Sequence, residues 1–133
     1  METAEFAFPG PLRDALVASI LRGDKTSTSA LAVHCEGEEL PKVGERLSVV
    51  DSAERGVAVI EVTDVKLATV SEVDVEHAIA EGEDYKTVAR WRAEHEKFWN
   101  SPEVREELGD PDFAVTDDSI VVLWRFRLVE SKS

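Results

Sequence analysis

The spacing of apolar residues changes period along this chain, and that change constrains the fold more than any other feature. From Pro11 to Arg22, Leu12, Leu16 and Ile20 recur at helical spacing with Val17 and Leu21 beside them, while Pro11 suits a first turn and Gly23 the residue just past a last one. The spacing predicts a helix there. From Arg46 the period shortens. Leu47 to Val50 and Val57 to Val65 are β-branched runs separated by Asp51-Ser52-Ala53-Glu54-Arg55-Gly56, the pattern of a hairpin with a longer loop, and Lys66 to Val70 continues or bends the second strand. Helical spacing returns at about Val73 to Ala80 and at about Lys86 to Asn100, where Val88, Trp91, His95 and Phe98 form a stripe, and then in a short acidic helix from Pro102 to about Leu108. Ile120 to Val129 reads as a long strand with one apolar face. Its period of two sends Trp124 and Phe126 one way and Arg125 the other. Cys35 to Lys42 reads as a loop, and the first few residues and Ser131 to Ser133 as frayed ends.

Helices and strands are therefore segregated along the chain, which argues against a doubly wound parallel sheet. The expected fold is α+β: a small, curved, mostly antiparallel β-barrel with helices packed on its outside. The 133 residues, 43% of them hydrophobic, suffice for one core without staples, and a single domain over residues 1–133 is expected. Cys35 is the only cysteine, so a reduced, cytoplasmic setting is expected. The first residues show no leader pattern, and no apolar run reaches membrane-spanning length. Fifteen Lys and Arg against twenty-eight Asp and Glu leave a net charge of −13, which opposes binding to long polyanions. Any nucleic-acid site would be a local cleft, and a small ligand is easier to accommodate.

The stretch that carries most chemistry is Gly23-Asp24-Lys25-Thr26-Ser27-Thr28-Ser29, a lysine among hydroxyls just after the first helix. It is not a phosphate loop, because the glycines that motif needs are replaced by Asp24 and Ser19. Such a run can cap a helix as a polar loop, position an anion, or supply a nucleophile if burial keeps the lysine partly neutral. His95 on its apolar stripe reads as a core or cleft-wall histidine rather than a general base. Trp91 reads first as core, with base stacking as the alternative. Three histidines and one cysteine without HExxH or CxxC spacing give no zinc site, and no cofactor is expected. Only loose Mg²⁺ or Mn²⁺ binding at clustered carboxylates stays open.

The segment from Leu16 to Ser29, together with Leu40-Pro41-Lys42-Val43-Gly44-Glu45, resembles the ASCH domain, a PUA-like fold marked by a helix ending in Gly-x-Lys-x-x-Thr. The likeness continues through Val59 to Thr63, Ala80-Glu81-Gly82-Glu83, Trp91-Arg92-x-x-His95 with Phe98, and Arg125-Phe126, and so covers nearly the whole chain. The Trp-Arg-x-x-His pattern is closer to the longer bacterial branch than to the short amidohydrolase branch. In the latter, which removes the acetyl group from N4-acetylcytidine, the resemblance implies Lys25 as base, Thr28 as nucleophile and Glu81 as stabilising carboxylate, with Glu83 competing for that place. Thr26, Glu83, Trp91, His95 and Arg125 would then contact the substrate. One departure weakens the transfer: the basic residue that follows the threonine by two is Ala30 here.

Three functions follow as alternatives: hydrolysis of an N4-acylated, cytidine-like amide, RNA binding or cleavage, and noncatalytic sensing of a nucleotide-like ligand. The expected partner is a small nucleoside-like ligand or a short RNA, with no membrane, and oligomeric state is open. All three readings expect Lys25, Thr28 and one of Glu81 or Glu83 to line a single cleft.

Overall fold

The computed structural model describes residues 2–35 and 40–131. Strand β1 (Thr3–Ala4) is followed by helix α1 (Pro11–Arg22), β2 (Ser27–Leu31), a 3-10 turn (Ala32–Cys35), β3 (Arg46–Val50), β4 (Gly56–Thr69) and a second 3-10 turn (Val70–Glu72). Helices α2 (Val75–Ala80), α3 (Val88–Trp99) and α4 (Pro102–Leu108) come next, and β5 (Ile120–Ser131) closes the chain. Among the described residues the strands form one five-stranded sheet in the order β1-β3-β4-β5-β2. The pairs β3–β4, β4–β5 and β2–β5 are antiparallel, and the two-residue β1 lies parallel to β3. The α+β class and the antiparallel core of the sheet agree with the sequence. The sheet is open at β1 and β2, so the expected barrel is a loose one.

Three sequence expectations need correction. Thr3 and Ala4 do not fray, because they pair with Ser48 and Val49, while Phe6 buries its ring against Trp124 and Phe126. The hydroxyl run does not end as a polar loop: from Ser27 it is a strand, held at the edge of the sheet by β5. The first half of β5 has two apolar faces, not one, since Val121, Val122 and Leu123 are all buried. The strand is sandwiched between a helix-side cluster containing Leu31, Trp91, Trp99, Val121 and Leu123 and an opposite cluster containing Phe6, Val17, Ile20, Val62 and Phe126. Trp124 packs against the second cluster, so the aromatics and Arg125 do part company as period two requires. Part of the expected loop from Cys35 to Lys42 lies outside the described residues.

Helix α1 has the predicted bounds. Its C-terminal residue hands over to Gly23 at φ 83°, the left-handed conformation in which glycine carries no Cβ penalty. Its least expected residue is Arg13, which is only 2% exposed. The guanidinium there donates to the carbonyls of Phe6, Ala7 and Asp51 and so ties the N-terminal segment to the hairpin turn. Among the described residues no helix is long and apolar enough to cross a membrane.

Candidate functional site

The site is built where the end of α1, the edge strand β2 and the end of α2 meet. Backbone bonds fix the meeting. Lys25 N donates to Ser19 O, Thr26 N to Ala80 O and Phe126 N to Thr26 O, so the chain from Lys25 to Thr26 joins both helices to β5. Ser19, buried on α1, donates its hydroxyl to Gly82 O, and Ser27 donates its own to His77 O. Gly82 makes the approach possible. A Cβ there would come within 2.7 Å of Asp24 C and O and of Lys25 Cα.

Lys25 is 2% exposed and Glu81 1%. The ammonium donates to Ser27 O at 2.9 Å and to Glu81 O at 3.2 Å, across 56 residues of sequence, and lies 5.8 Å from the centre of the Phe6 ring. Its direct partners are therefore carbonyl dipoles. Burial dominates and lowers its pKa, against the raising pull of the Glu81 and Glu83 charges.

The carboxylate of Glu81 faces a different set of donors. Its Oε2 accepts from Ser29 Oγ at 2.6 Å, Trp91 Nε1 at 2.6 Å and His77 Nε2 at 3.0 Å, while Oε1 meets His95 Nε2 at 3.0 Å. Burial pushes its pKa up, yet the bonds from His77 and His95 and the charges of His95 and Lys25 outweigh burial and hold the carboxyl well below its ordinary value. The second nitrogen of His95, Nδ1, faces Trp91 O at 2.9 Å. Both nitrogens thus meet oxygen acceptors, an arrangement that the protonated ring satisfies with its two N–H groups. Burial lowers its pKa, but the Glu81 bond and charge prevail and raise it.

Ser29, His77 and Glu81 invite comparison with a hydrolytic triad, and their connectivity rules it out. The hydroxyl and the carboxylate both meet Nε2 of His77, at 2.8 and 3.0 Å, whereas a relay uses opposite ring nitrogens. Glu83 is the looser carboxyl. It is half-buried beside the Tyr85 hydroxyl, and burial raises its pKa against the opposing charge of Lys25. Tyr85 is held neutral, burial and the Glu83 and Glu81 charges both pushing its pKa up.

Of the residues named from sequence, Lys25, Glu81, Glu83, Trp91 and His95 converge. Trp91 is fully buried, with its ring against His95 and Trp99, and offers no open face for stacking. Thr26 is exposed, its Oγ1 3.5 Å from Ala80 O. Thr28 stands apart. Strand alternation puts it on the face opposite Ser27 and Ser29, across from Trp124, and Ser29 rather than Thr28 bonds Glu81. Sequence reading passed over Ser29 and His77. The signal available was the alternation of Ser27 and Ser29, which puts two hydroxyls on one face once the segment is a strand.

Beside this buried cluster a recess of about 400 Å³ opens between the sheet and α2, lined by Asp64, Lys66, Asp74, Glu76, His77, Leu123 and Arg125. His77 is its shared wall with the cluster. Arg125, opposite Ser27 on β2 and Asp64 on β4, is half-buried, and its guanidinium makes no hydrogen bond or ion pair among the described residues. Among those residues no group of three His, Cys, Asp or Glu side chains is placed to hold a metal ion.

An open, mostly antiparallel sheet packed with helices, carrying a buried lysine and glutamate joined across the start of β2 and the end of α2, defines an α+β domain with a polar centre at its sheet edge. The chain belongs to the ASCH domain family, whose sequence profile matches residues 4–130. It superimposes on the ASCH domain of Lactobacillus crispatus JV V101 with a TM-score of 0.83 and 27% identity, covering 97% of this chain and 79% of that one. Protein EF3133 from Enterococcus faecalis V583 gives a TM-score of 0.82 and 25% identity, covering 100% of this chain and 78% of that one. Among curated proteins none is similar in sequence to this chain.

Proposed function

We propose that this ASCH domain recognises a nucleobase-bearing ligand, either a free nucleoside or one nucleotide unit of an RNA, in the recess between the sheet and α2. The observation that carries the reading is the polarity of that recess: an unpartnered Arg125 on one wall and the carboxylates of Asp74 and Glu76 on the other. A base offers acceptors and donors along one edge, and a guanidinium facing carboxylates complements such an edge. The volume of about 400 Å³ lies within the range of small-ligand sites. The net charge of −13 disfavours a long polyanion and favours a single unit.

A finer reading, hydrolysis of an N4-acylated, cytidine-like amide, is favoured by Lys25. Burial draws its pKa down from that of a free amine, toward the range in which an amine accepts a proton. The register of Thr28 weighs against it as the nucleophile. Calorimetric titration with cytidine, N4-acetylcytidine and a short single-stranded RNA tests both levels. Binding of a nucleoside or of the RNA is expected, the two arms separating a free ligand from a chain unit. It should weaken by about tenfold or more in Glu76→Arg, where an exposed wall residue reverses its charge. Failure of every probe to bind, or unchanged binding by the variant, overturns the reading. Release of acetate by the native chain and not by Lys25→Ala would carry the finer one, and no release from bound N4-acetylcytidine would end it.

A further inference from the structure

The recess is not the end of the polar surface on its side of the sheet. On β5, Arg127 follows Arg125 by two residues and shares its face, and it lies opposite Glu61 of β4, which lies opposite Arg46 of β3. Arg46 Nε reaches Glu61 Oε1 at 3.3 Å and Arg127 Nη2 reaches Glu61 Oε2 at 3.1 Å, so two arginines flank a single carboxylate. Lys66 stands two residues after Asp64 on the same face of β4. Arg46, Lys66, Arg125 and Arg127 therefore share one sheet face with the acids Glu61, Asp64 and Glu130. In a chain with almost twice as many acids as bases, this face is locally enriched in bases. Stability gives little reason for it, because exposed cross-strand ion pairs contribute little. The opposite wall of the recess, Asp74 and Glu76 on and beside α2, has the reverse charge.

We propose that the ligand is phosphorylated: with its base in the recess toward Asp74 and Glu76, a phosphate is held on the sheet side by Arg125, with Lys66 and Arg127 next to it. The inference rests on the nucleobase reading and adds the charge of the ligand. Arg125 is the central contact, since it is the half-buried guanidinium with no partner among the described residues, and a planar guanidinium bonds phosphate oxygens in pairs. Asp64 opposite Arg125 limits the affinity, and a single phosphate rather than a run of them matches the small size of the basic patch.

The test is titration of the chain with each common ribonucleoside, its 5′-monophosphate and inorganic phosphate, before and after Arg125→Gln, with unfolding curves as a control on folding. At least one monophosphate is expected to bind about tenfold tighter than its nucleoside. Arg125→Gln should remove that difference, so that the monophosphate and its nucleoside bind the variant equally, and raising salt from about 50 to about 200 mM should weaken the monophosphate more than the nucleoside. A nucleoside that binds as tightly as its monophosphate, or a phosphate advantage that survives Arg125→Gln, overturns the inference and leaves the nucleobase reading standing. Binding of inorganic phosphate without any nucleoside or nucleotide, or no binding by any probe, overturns both.

Discussion

Glu81 and Glu83 lie two residues apart and differ in what they can do. Four donors surround the Glu81 carboxylate, so it is held as an anion that organises its neighbours. Glu83, half-buried with its pKa raised chiefly by burial, is the carboxyl nearer to exchanging a proton. The same network raises the pKa of His95, with a direct consequence for stability. A base whose pKa in the folded state lies above its ordinary 6.5 contributes stability that is fully present below that pH and is lost as pH rises through the raised value. Urea unfolding across that window should show the fall, and His95→Gln, which still offers Glu81 one N–H donor, should remove that part of the slope at a cost of about 1–3 kcal/mol. An unchanged slope in the variant would mean that another group, Glu83 foremost, sets the pH response. Glu81 acts at the acid end with the opposite sign: its depressed pKa contributes stability above its ordinary 4.5, lost as pH falls through the folded value.

At the scale of elements, the site depends on how closely the turn after α2 lies against the segment joining α1 to β2. Gly82 sits at φ +72° with the backbone of Asp24 and Lys25 where a Cβ would be, whereas Gly109, which caps α4 at φ +69°, has nothing within 4 Å. Both positions carry the left-handed conformational cost, about 1 kcal/mol for alanine, and only Gly82 adds a steric one. Gly82→Ala should therefore destabilise by about 2–4 kcal/mol and Gly109→Ala by about 1 kcal/mol, read from denaturant midpoints at equal m-values. Equal losses would show that the turn can move away from Lys25 without cost. The helices on this side are anchored by ordinary caps: Asp74 accepts from His77 N, Thr87 from Arg90 N and Ser101 from Val104 N. These caps fix the helix starts, two residues later than about Val73 and about Lys86 for α2 and α3, and so set where Glu81, Trp91 and His95 fall.

For the whole molecule, charge decides what can approach. The excess of acids over bases gives a long-range field that repels polyanions, and the proposed phosphate contact at Arg125 would take one anionic group against it. The affinity for a short single-stranded RNA should accordingly fall with salt with a log–log slope of about −0.7, the value for one phosphate neutralised. A slope near −5 or steeper would mean that a longer track of cations is engaged than this face provides. Filter binding at several salt concentrations measures it. The shared ASCH architecture at about a quarter sequence identity fits the same view, since the two packed faces of β5 need only apolar residues of suitable size, not particular ones.

Local chemistry made the elements readable from sequence. Period 3.6 from Pro11 to Arg22 and in the later helices, and the β-branched runs after Arg46, act through near neighbours, and the observed elements follow them. The Gly-x-Lys-x-x-Thr stretch and the Ala80-Glu81-Gly82-Glu83 stretch were legible as a pair through family resemblance. Composition alone gave no reason to join them. Tertiary packing decided the rest. Ser27 to Leu31 is short and hydroxyl-rich and becomes a strand because β5 supplies its hydrogen-bond partners, and that strand turns Thr28 away from the face on which Ser29 bonds Glu81. Whether Lys25 stays fully charged is likewise not a property of its neighbours in sequence, because its pKa is set by burial among carbonyls and by two carboxylates more than fifty residues away. A side chain's partners across the fold determine its chemistry, and they come within reach only when distant segments pack together.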